Sequence, residues 1–483
     1  MTGFLDTAWA YLLGTIAVVI AIALTVRVVL EKRSEQAAVA WVGIIWLNPF
    51  LGAITYMLLG VNRIRRRANR LDVRRAEDYR KSVGTALIAE AAARTPPNEG
   101  RHLANLISVI DKVAEAPLVP GNRITPLING DAAYADMVAA IDGAERSIAI
   151  SSYIFNNDDA GRLFVEALDR AVGRGVDVRV LIDGVGSWYS YPPIMPLLRR
   201  RGITAARFLY SLVPWQMPYL NLRNHHKLLI ADGHVGFTGG MNIQKSFLQR
   251  EGKGATVQDV HFRAEGPVVR HMMETFAGDW SFTTSEDLSG EAWFPEIPPA
   301  GPVFARGISA GPHQDTNTLR WTLLAAIGEA KQSIKIVTPY FLPDDALATA
   351  LCLAAMGGVA VDIVMPARNN LPFVTWASIP KCDELLRAGC QLWLSPPPFD
   401  HAKLFLVDDV WSLVGSTNWD PRSLRLNFEF DLECHDPALA QSLNALFAAR
   451  RGTARPLSLL DIQSRSLPIK LRDGVARLFS AYL

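Results

Sequence analysis

Asn224-His225-His226-Lys227-Leu228-Leu229-Ile230-Ala231-Asp232, closed by Gly239-Gly240-Met241-Asn242, has a second copy later in the chain. That copy is His401-Ala402-Lys403-Leu404-Phe405-Leu406-Val407-Asp408, closed by Gly415-Ser416-Thr417-Asn418. Both follow His-x-Lys-x-x-x-x-Asp, six residues, then Gly-(Gly/Ser)-x-Asn, and both ends shift equally: 401 − 225 = 176 and 418 − 242 = 176. Two copies in one register predict two homologous half-sites. The spacing selects His225 rather than His226, and Asp408 rather than Asp409. His and Lys at i and i+2 of a strand project from the same face, so each pair is expected in one pocket. Leu228, Ile230, Leu404 and Leu406 supply the apolar strand around them.

A second repeat lies upstream of each motif. Ala140 to Tyr153 matches Ala326 to Pro339, a helix end running into an alternating strand, and each is followed by a helical run and a β-branched strand, Val176 to Asp183 and Val359 to Met365. Each half is therefore a strand–helix–strand unit, expected to build a mixed, mostly parallel sheet. The offset here is 333 − 147 = 186, so the first half holds about ten extra residues before its histidine strand. The candidate insertion is the apolar, aromatic stretch from Arg207 to Leu220, to which Trp188, Tyr189, Tyr191, Pro192 and Pro193 add a rim. Two readings stand for it: packing under a long loop, or a membrane-facing mouth for acyl chains.

The chain of 483 residues exceeds one ordinary core, and its 49% apolar content supplies both a large interior and membrane surface. A net charge of +2 weighs against a general nucleic-acid binder. Cys352, Cys382, Cys390 and Cys434 show no Cys-x-x-Cys spacing and are expected as buried thiols.

Thr7 to Val26 is 20 residues without a charge, long enough as a helix to cross a bilayer. No Lys or Arg precedes it, which disfavours a cleaved signal peptide. A second uncharged run, Gln36 to Asn62, is expected to span with a kink or a part re-entrant turn at Asn48-Pro49. The expected spans are about 7–29 and 38–60. Nine basic residues between Arg63 and Lys81 then outweigh the loop between the spans, which places everything beyond residue 63 in the cytoplasm. Those arginines also suit anionic headgroups. Residues 63–119 form a basic juxtamembrane segment and helical linker. At the other end, Leu467 to Leu483 carries an apolar stripe of Leu471, Val475, Leu478, Phe479 and Tyr482, with Lys470, Arg472, Asp473 and Arg477 mainly off it. It reads either as a helix packed on the second domain or as an interfacial helix beside the site.

The paired motifs resemble the phospholipase D superfamily. The N-terminal module, with Thr338 to Asp345, Ser423 to Glu429 and Leu467 to Leu483, resembles the bacterial cardiolipin synthases. The resemblance implies an α/β architecture: a membrane module with two transmembrane helices (1–62), then two pseudo-symmetric phospholipase D-like domains (120–300 and 301–483), each a mixed β-sheet flanked by helices. It implies phosphatidyl transfer between two phosphatidylglycerol molecules at the inner membrane, with no nucleic acid as partner and no cofactor. A phospholipase D hydrolase, a synthase with a phosphatidylethanolamine donor and a membrane-anchored nuclease stay open as alternatives.

In this chemistry one histidine attacks phosphorus and the other protonates the leaving alcohol. The resemblance makes His225 the nucleophile and His401 the acid/base. Lys227, Lys403, Asn242, Asn418 and Ser416 are the expected phosphate donors. Gly240 departs from the family's serine, leaving the backbone or Asn242 to compensate. Asp259 and Glu429, 34 and 28 residues after their histidines, are the expected ring-orienting carboxylates. Asp232 and Asp408 complete the catalytic motifs as orienters rather than proton carriers. A zinc site recruiting His234 and His261 is opposed by the lysine inside each motif, so no metal is expected.

Overall fold

The computed structural model describes residues 2–31, 35–57, 102–210, 222–248, 257–311 and 317–478. It divides into an N-terminal unit within residues 1–67 and a large unit that holds every described residue from His102 onward.

In the N-terminal unit, the helix Thr2–Glu31 contains Tyr11–Leu30, long and apolar enough to cross a membrane. The expected second span is not one helix. The helix Glu35–Leu47 stops at Asn48, whose extended backbone (φ −150°) ends the first segment and whose Oδ1 caps Leu51 N at 3.1 Å. Pro49 then opens the short helix Pro49–Thr55. Gly52 allows that helix to fold back, because a Cβ there would approach within 2.7 Å of Ile45 Cα. Trp41 meets Tyr56 edge to face at 5.3 Å, and Ala21, Val28 and Ile45 close the contact with the first helix. Among the described residues one helix, rather than two, has the length of a span. The arginine-rich stretch from 63 to 81 lies outside the described residues.

The large unit is built on one sheet of two matching runs. In the first half the strands are β1 (Val119–Ile128), β2 (Ser147–Ser152), β3 (Asp177–Asp183), β4 (Thr204–Phe208), β5 (Arg223–Asn224), β6 (Leu228–Ala231), β7 (Val235–Gly239), β8 (Val257–Gln258) and β9 (Val260–Glu265). In the second they are β10 (Val303–Ala310), β11 (Ser333–Val337), β12 (Ala360–Pro366), β13 (Gln391–Ser395), β14 (Phe399–Asp400), β15 (Leu404–Val407), β16 (Trp411–Gly415), β17 (Asn427–His435) and β18 (Arg455–Pro456).

Outward from the centre the order is β1-β9-β7-β6-β2-β3-β4 on one side and β10-β17-β16-β15-β11-β12-β13-β18 on the other. β1 and β10 pair antiparallel at the seam, so the halves share one continuous sheet instead of carrying one each. Among the described residues only β2-β3-β4, β11-β12-β13 and the short crossing pair β5-β17 run parallel within the main sheet, which corrects the expectation of a mostly parallel one. The reason is local: each motif strand turns at once into its neighbour, β6 into β7 and β15 into β16, and a tight hairpin forces antiparallel pairing. Fourteen residues (209–222) connect β4 to β5, against three (396–398) between β13 and β14, so the extra length of the first half falls where expected. Residues 211–221 of that connection lie outside the described residues.

The motif strands are buried on both faces. Leu228, Ile230, Leu404 and Leu406 enter a core common to both halves, under the helices Val268–Thr284 and Pro437–Thr453. Leu229 and Ala231 face the first half's own outer core, and Phe405 and Val407 the second's. The linker helix Ala104–Val113 packs Leu106 and Ile110 into the second half's outer core. All four cysteines are buried free thiols.

Candidate active site

The two motifs meet because short strands cross between the halves. β5, just before His225, pairs with β17 of the second half, and β14, just before His401, pairs with β8 of the first. The backbone N–H of His225 donates to Phe428 O (2.9 Å), and that of His401 to Gln258 O (2.8 Å). The residue after each of those carbonyls is an acid. Glu429 Oε2 lies 2.8 Å from His225 Nδ1, and Asp259 Oδ2 lies 2.9 Å from His401 Nδ1. The resemblance implies Asp259 for His225 and Glu429 for His401, each within its own half. The structure exchanges the partners, since the crossing strands carry each acid to the opposite half.

Both carboxylates are fully buried, so with Nδ1–H donated to them the two rings keep Nε2 as the basic nitrogen. Lys227 Nζ donates to His225 O (2.8 Å), and Lys403 Nζ donates to His401 O (2.5 Å). Burial, with Lys403 alongside, pulls the Lys227 pKa down to about 7, against the opposing pull of Glu429 and Asp259. Lys403 falls to about 8, chiefly by burial, with the same two acids opposing. Burial and then Lys403 lower His401 to about 4, and burial, Lys227 and Lys403 hold His225 well below the ordinary histidine value. The acids differ. Burial raises Glu429, whereas for Asp259 the same penalty is outweighed by His401 and Lys403, which hold it below the usual carboxylate value.

The Gly/Ser difference between the motifs belongs to these acids. Ser416 Oγ donates to Glu429 Oε2 at 2.6 Å and accepts from Phe430 N at 3.0 Å. Its hydroxyl proton is thus committed to the carboxylate, which corrects the expectation of a phosphate donor. At Gly240 a Cβ would stand 2.4 Å from Asp259 Oδ2 and 2.6 Å from Oδ1. The shorter acid reaches His401 across a position with no side chain; the longer one is met by a serine. Asn427 Nδ2 also donates to Glu429 Oε1 (2.9 Å).

Asn242 and Asn418 are buried beside their motifs. Asn242 Oδ1 accepts from Ile154 N at 3.2 Å, and Asn418 Nδ2 donates to Ser423 Oγ at 3.2 Å. Asp232 and Asp408 stand apart from the histidines, beyond the far ends of β6 and β15. Asp232 accepts the N–H groups of Glu145, Arg146 and Ser147 at 2.7–2.9 Å, and Asp408 those of Lys331, Gln332 and Ser333 at 2.7–2.8 Å. Both sit at φ 52°, a left-handed conformation that aspartate tolerates, and both clamp the turn that launches β2 or β11. Their place in the catalytic set is therefore corrected to a structural clamp, since backbone amides occupy their oxygens. Asp408 also takes His102 Nε2 at 2.8 Å.

Several neighbours carry no motif signal. Tyr153 packs on His225 (ring centroids 5.3 Å) and Tyr340 on His401 (6.2 Å). They stand just past β2 and β11, at positions the 186-residue repeat brings to within one residue of each other. His226, set aside by spacing, pairs with Asp279 through Nδ1 (2.7 Å), and Asn224 Nδ2 donates to the same Asp279 oxygen (2.9 Å). In the second half Asp400 takes Arg450 Nε at 2.6 Å. The residue before each motif histidine is thus tied to a helix of the shared core, Asn224 as an amide donor to Asp279 and Asp400 as a carboxylate acceptor from Arg450. Of the two histidines considered for a metal, His234 Nδ1 faces Asp232 O at 2.8 Å and His261 is buried. Among the described residues no three His, Cys, Asp or Glu side chains converge as a metal site.

A two-fold repeated α/β sheet with a His–Lys pair from each half at one crossing defines a phospholipase D-like phosphodiester-transfer protein. The family model for the cardiolipin synthase, PLD-like domain matches residues 137–280 and 323–451, and that for the phospholipase D-nuclease N-terminal region matches 19–60. Cardiolipin synthase 2 of Staphylococcus epidermidis is 30% identical over 464 residues, 94% of each chain. Cardiolipin synthase 1 of Bacillus cereus is 31% identical over 467 residues, 94% of this chain and 90% of that one. The chain belongs to the cardiolipin synthase family. Among solved structures, phosphatidylserine synthase of Haemophilus influenzae covers 78% of this chain and all of its own with a TM-score of 0.61; at 14% identity it speaks for the fold.

Proposed function

We propose that the protein is a cardiolipin synthase that transfers a phosphatidyl group from one phosphatidylglycerol to another, releasing glycerol. The observation that carries the reading is the crossed pair of buried His–carboxylate contacts, flanked by two buried lysines, in a chain of this family. Nε2 of one histidine attacks phosphorus, and the P–O bond to the departing glycerol breaks as the other histidine gives that oxygen its proton. The second histidine, now neutral, takes the proton of an incoming phosphatidylglycerol hydroxyl. That oxygen displaces the histidine from phosphorus, and the P–N bond breaks.

His225 is the nucleophile in this scheme and His401 the proton carrier. Hydrogen bonds from Ser416 and Asn427 disperse the charge of Glu429, leaving His225 a neutral base. Asp259, held ionised, is the better counter-ion for an imidazolium at His401. Lys227, Lys403, Asn242 and Asn418 receive the phosphate oxygens, whose charge raises the proton affinity of His401 once the lipid is bound. Substrates are phospholipids, and the helix Tyr11–Leu30 anchors the chain in the bilayer. The arginines after residue 63 hold the catalytic unit on the cytoplasmic face, and with the segment at Asn48 folded back on itself the helix Tyr11–Leu30 is the crossing.

The test is lipid extraction after incubating the purified chain with labelled phosphatidylglycerol, with and without chelator. Labelled cardiolipin and free glycerol in equal amounts are expected under both conditions, and neither from His225→Ala or His401→Ala. Phosphatidic acid as the main product would establish a hydrolase. Turnover that needs phosphatidylethanolamine would change the donor.

A further inference from the structure

The C-terminal helix Leu467–Leu478 is fixed in an unusual roll. Its buried positions are Asp473 and Ala476. Asp473 pairs with Arg465 and Arg472, both at 2.8 Å, Arg472 lies over the Trp376 ring at 4.2 Å, and Ala476 packs with Leu342 and Ala377. Of the apolar stripe expected from the sequence, Leu471, Val475 and Leu478 therefore point away from the protein, and Phe479 and Tyr482 lie outside the described residues. Leu467, Leu471, Val475 and Leu478 are 53–77% exposed and lie within roughly 80° of one another around the helix axis. Lys470 and Arg477 flank one side of the stripe and Arg472 the other.

The helix stands beside the site: Leu342, against which Ala476 packs, is two residues from Tyr340, the ring on His401. Tyr340 hydroxyl also donates to Asn370 Oδ1 (2.8 Å), next to exposed Leu371 and Phe373. The other flank repeats the pattern, with Tyr153 on His225 meeting Tyr189 at 6.3 Å between exposed Trp188 and Tyr191.

We propose that this outward stripe, with the apolar side chains flanking the two histidines, is a bilayer-docking surface that seats the site mouth at the acyl–headgroup boundary of an anionic membrane. The inference rests on the phosphatidyl-transfer reading and adds the route by which the lipid arrives. A lipid surface fits better than a second copy of the chain. Basic residues on both edges of an apolar stripe match acyl chains beneath anionic headgroups, whereas a self-contact would bring like charges together. The chain also carries its own membrane-crossing helix, which keeps a bilayer within reach. An apolar mouth in that plane lets a diacyl lipid reach the histidines without exposing its chains to water.

The experiment uses the full chain in phosphatidylglycerol vesicles. A fluorophore at Leu471→Cys or Leu478→Cys, with Glu166→Cys as reference, is challenged with lipids brominated near the top of the acyl chain. Strong quenching at 471 and 478 and little at 166 is expected. In parallel, Leu471→Glu/Leu478→Glu should lower turnover on vesicles at least tenfold, while turnover on a short-chain phosphatidylglycerol below its micelle concentration stays within about twofold and the melting temperature is unchanged. Equal quenching at all three sites overturns the proposal. So does an equal loss on both substrates, or energy transfer between labelled copies that reports a self-contact. If the parent chain transfers no soluble short-chain lipid, the reaction assignment fails, and the quenching pattern still decides the docking surface.

Discussion

At the residue scale the site rests on complementary pairs, and two of them give direct tests. Gly240 leaves room for Asp259 as Ser416 hydrogen-bonds Glu429. Restoring a serine at Gly240 puts a Cβ within 2.4 Å of the carboxylate, so Asp259 must withdraw from His401. Gly240→Ser is expected to lower kcat at least tenfold, about 1.4 kcal/mol of barrier, with little change in KM. Steady-state kinetics checks it, and unaltered kcat would show that the carboxylate has room elsewhere.

The second test is the alkaline limb of the pH profile. A lysine depressed to about 7 is cationic below that pH and neutral above it, so kcat/KM should fall as pH rises through the range set by Lys227 and then by Lys403 near 8. Lys227→Arg keeps its charge throughout. It should shift the limb upward even where its peak activity is lower.

Among elements, the motif strands illustrate how a motif residue can be indispensable without touching the reaction. Asp232 and Asp408 each satisfy three backbone N–H groups at the start of the neighbouring repeat strand, which sets the register of β6 on β2 and of β15 on β11. Asp408→Ala leaves those amides without their acceptor. A stability loss of about 3 kcal/mol is expected, on the scale of buried hydrogen bonds to a charged group. Denaturant unfolding measures it. Activity lost at unchanged stability would return Asp408 to the chemistry. His102→Ala, which removes one contact to the same carboxylate, should cost less.

For the whole molecule the decisive feature is the exchange of carboxylates between halves. Neither half holds both a motif histidine and the acid that its ring contacts. A change in the first half at Asp259 therefore acts on His401, and a change in the second at Glu429 acts on His225. With His225 as nucleophile, Asp259→Asn slows release from the phosphatidyl-enzyme at least as much as its formation, and labelled enzyme accumulates on mixing with labelled phosphatidylglycerol. Glu429→Gln should slow attack, so that little labelled enzyme forms. Acid quench with peptide mapping reads both, and the opposite pattern would exchange the roles of the two histidines.

Much of this was legible in the chain because it is repeated. The 176- and 186-residue offsets identified two halves, the His–Lys pairs and the site of the insertion. They could do so because each His–Lys pair is a local object, although it lies in the short link just before the hairpin strand, at 225–227 and 401–403, and not on the strand as its spacing suggests. Asp259 and Glu429 were legible as orienting acids, but not which histidine each one served. That depended on short strands from one half pairing with the other, a contact 204 residues apart for Glu429 and 142 for Asp259. For the Ser416 hydroxyl the deciding contact lies within the second half: its acceptor, Glu429, becomes a neighbour through the antiparallel pairing of β16 with β17. The apolar stripe of the C-terminal helix was plain from its 3.6-residue period, yet period alone does not say which way the stripe faces. Burial of Asp473 and Ala476 against the second half sets that roll, because paired charge and a small side chain fill the contact and leave the leucines outward.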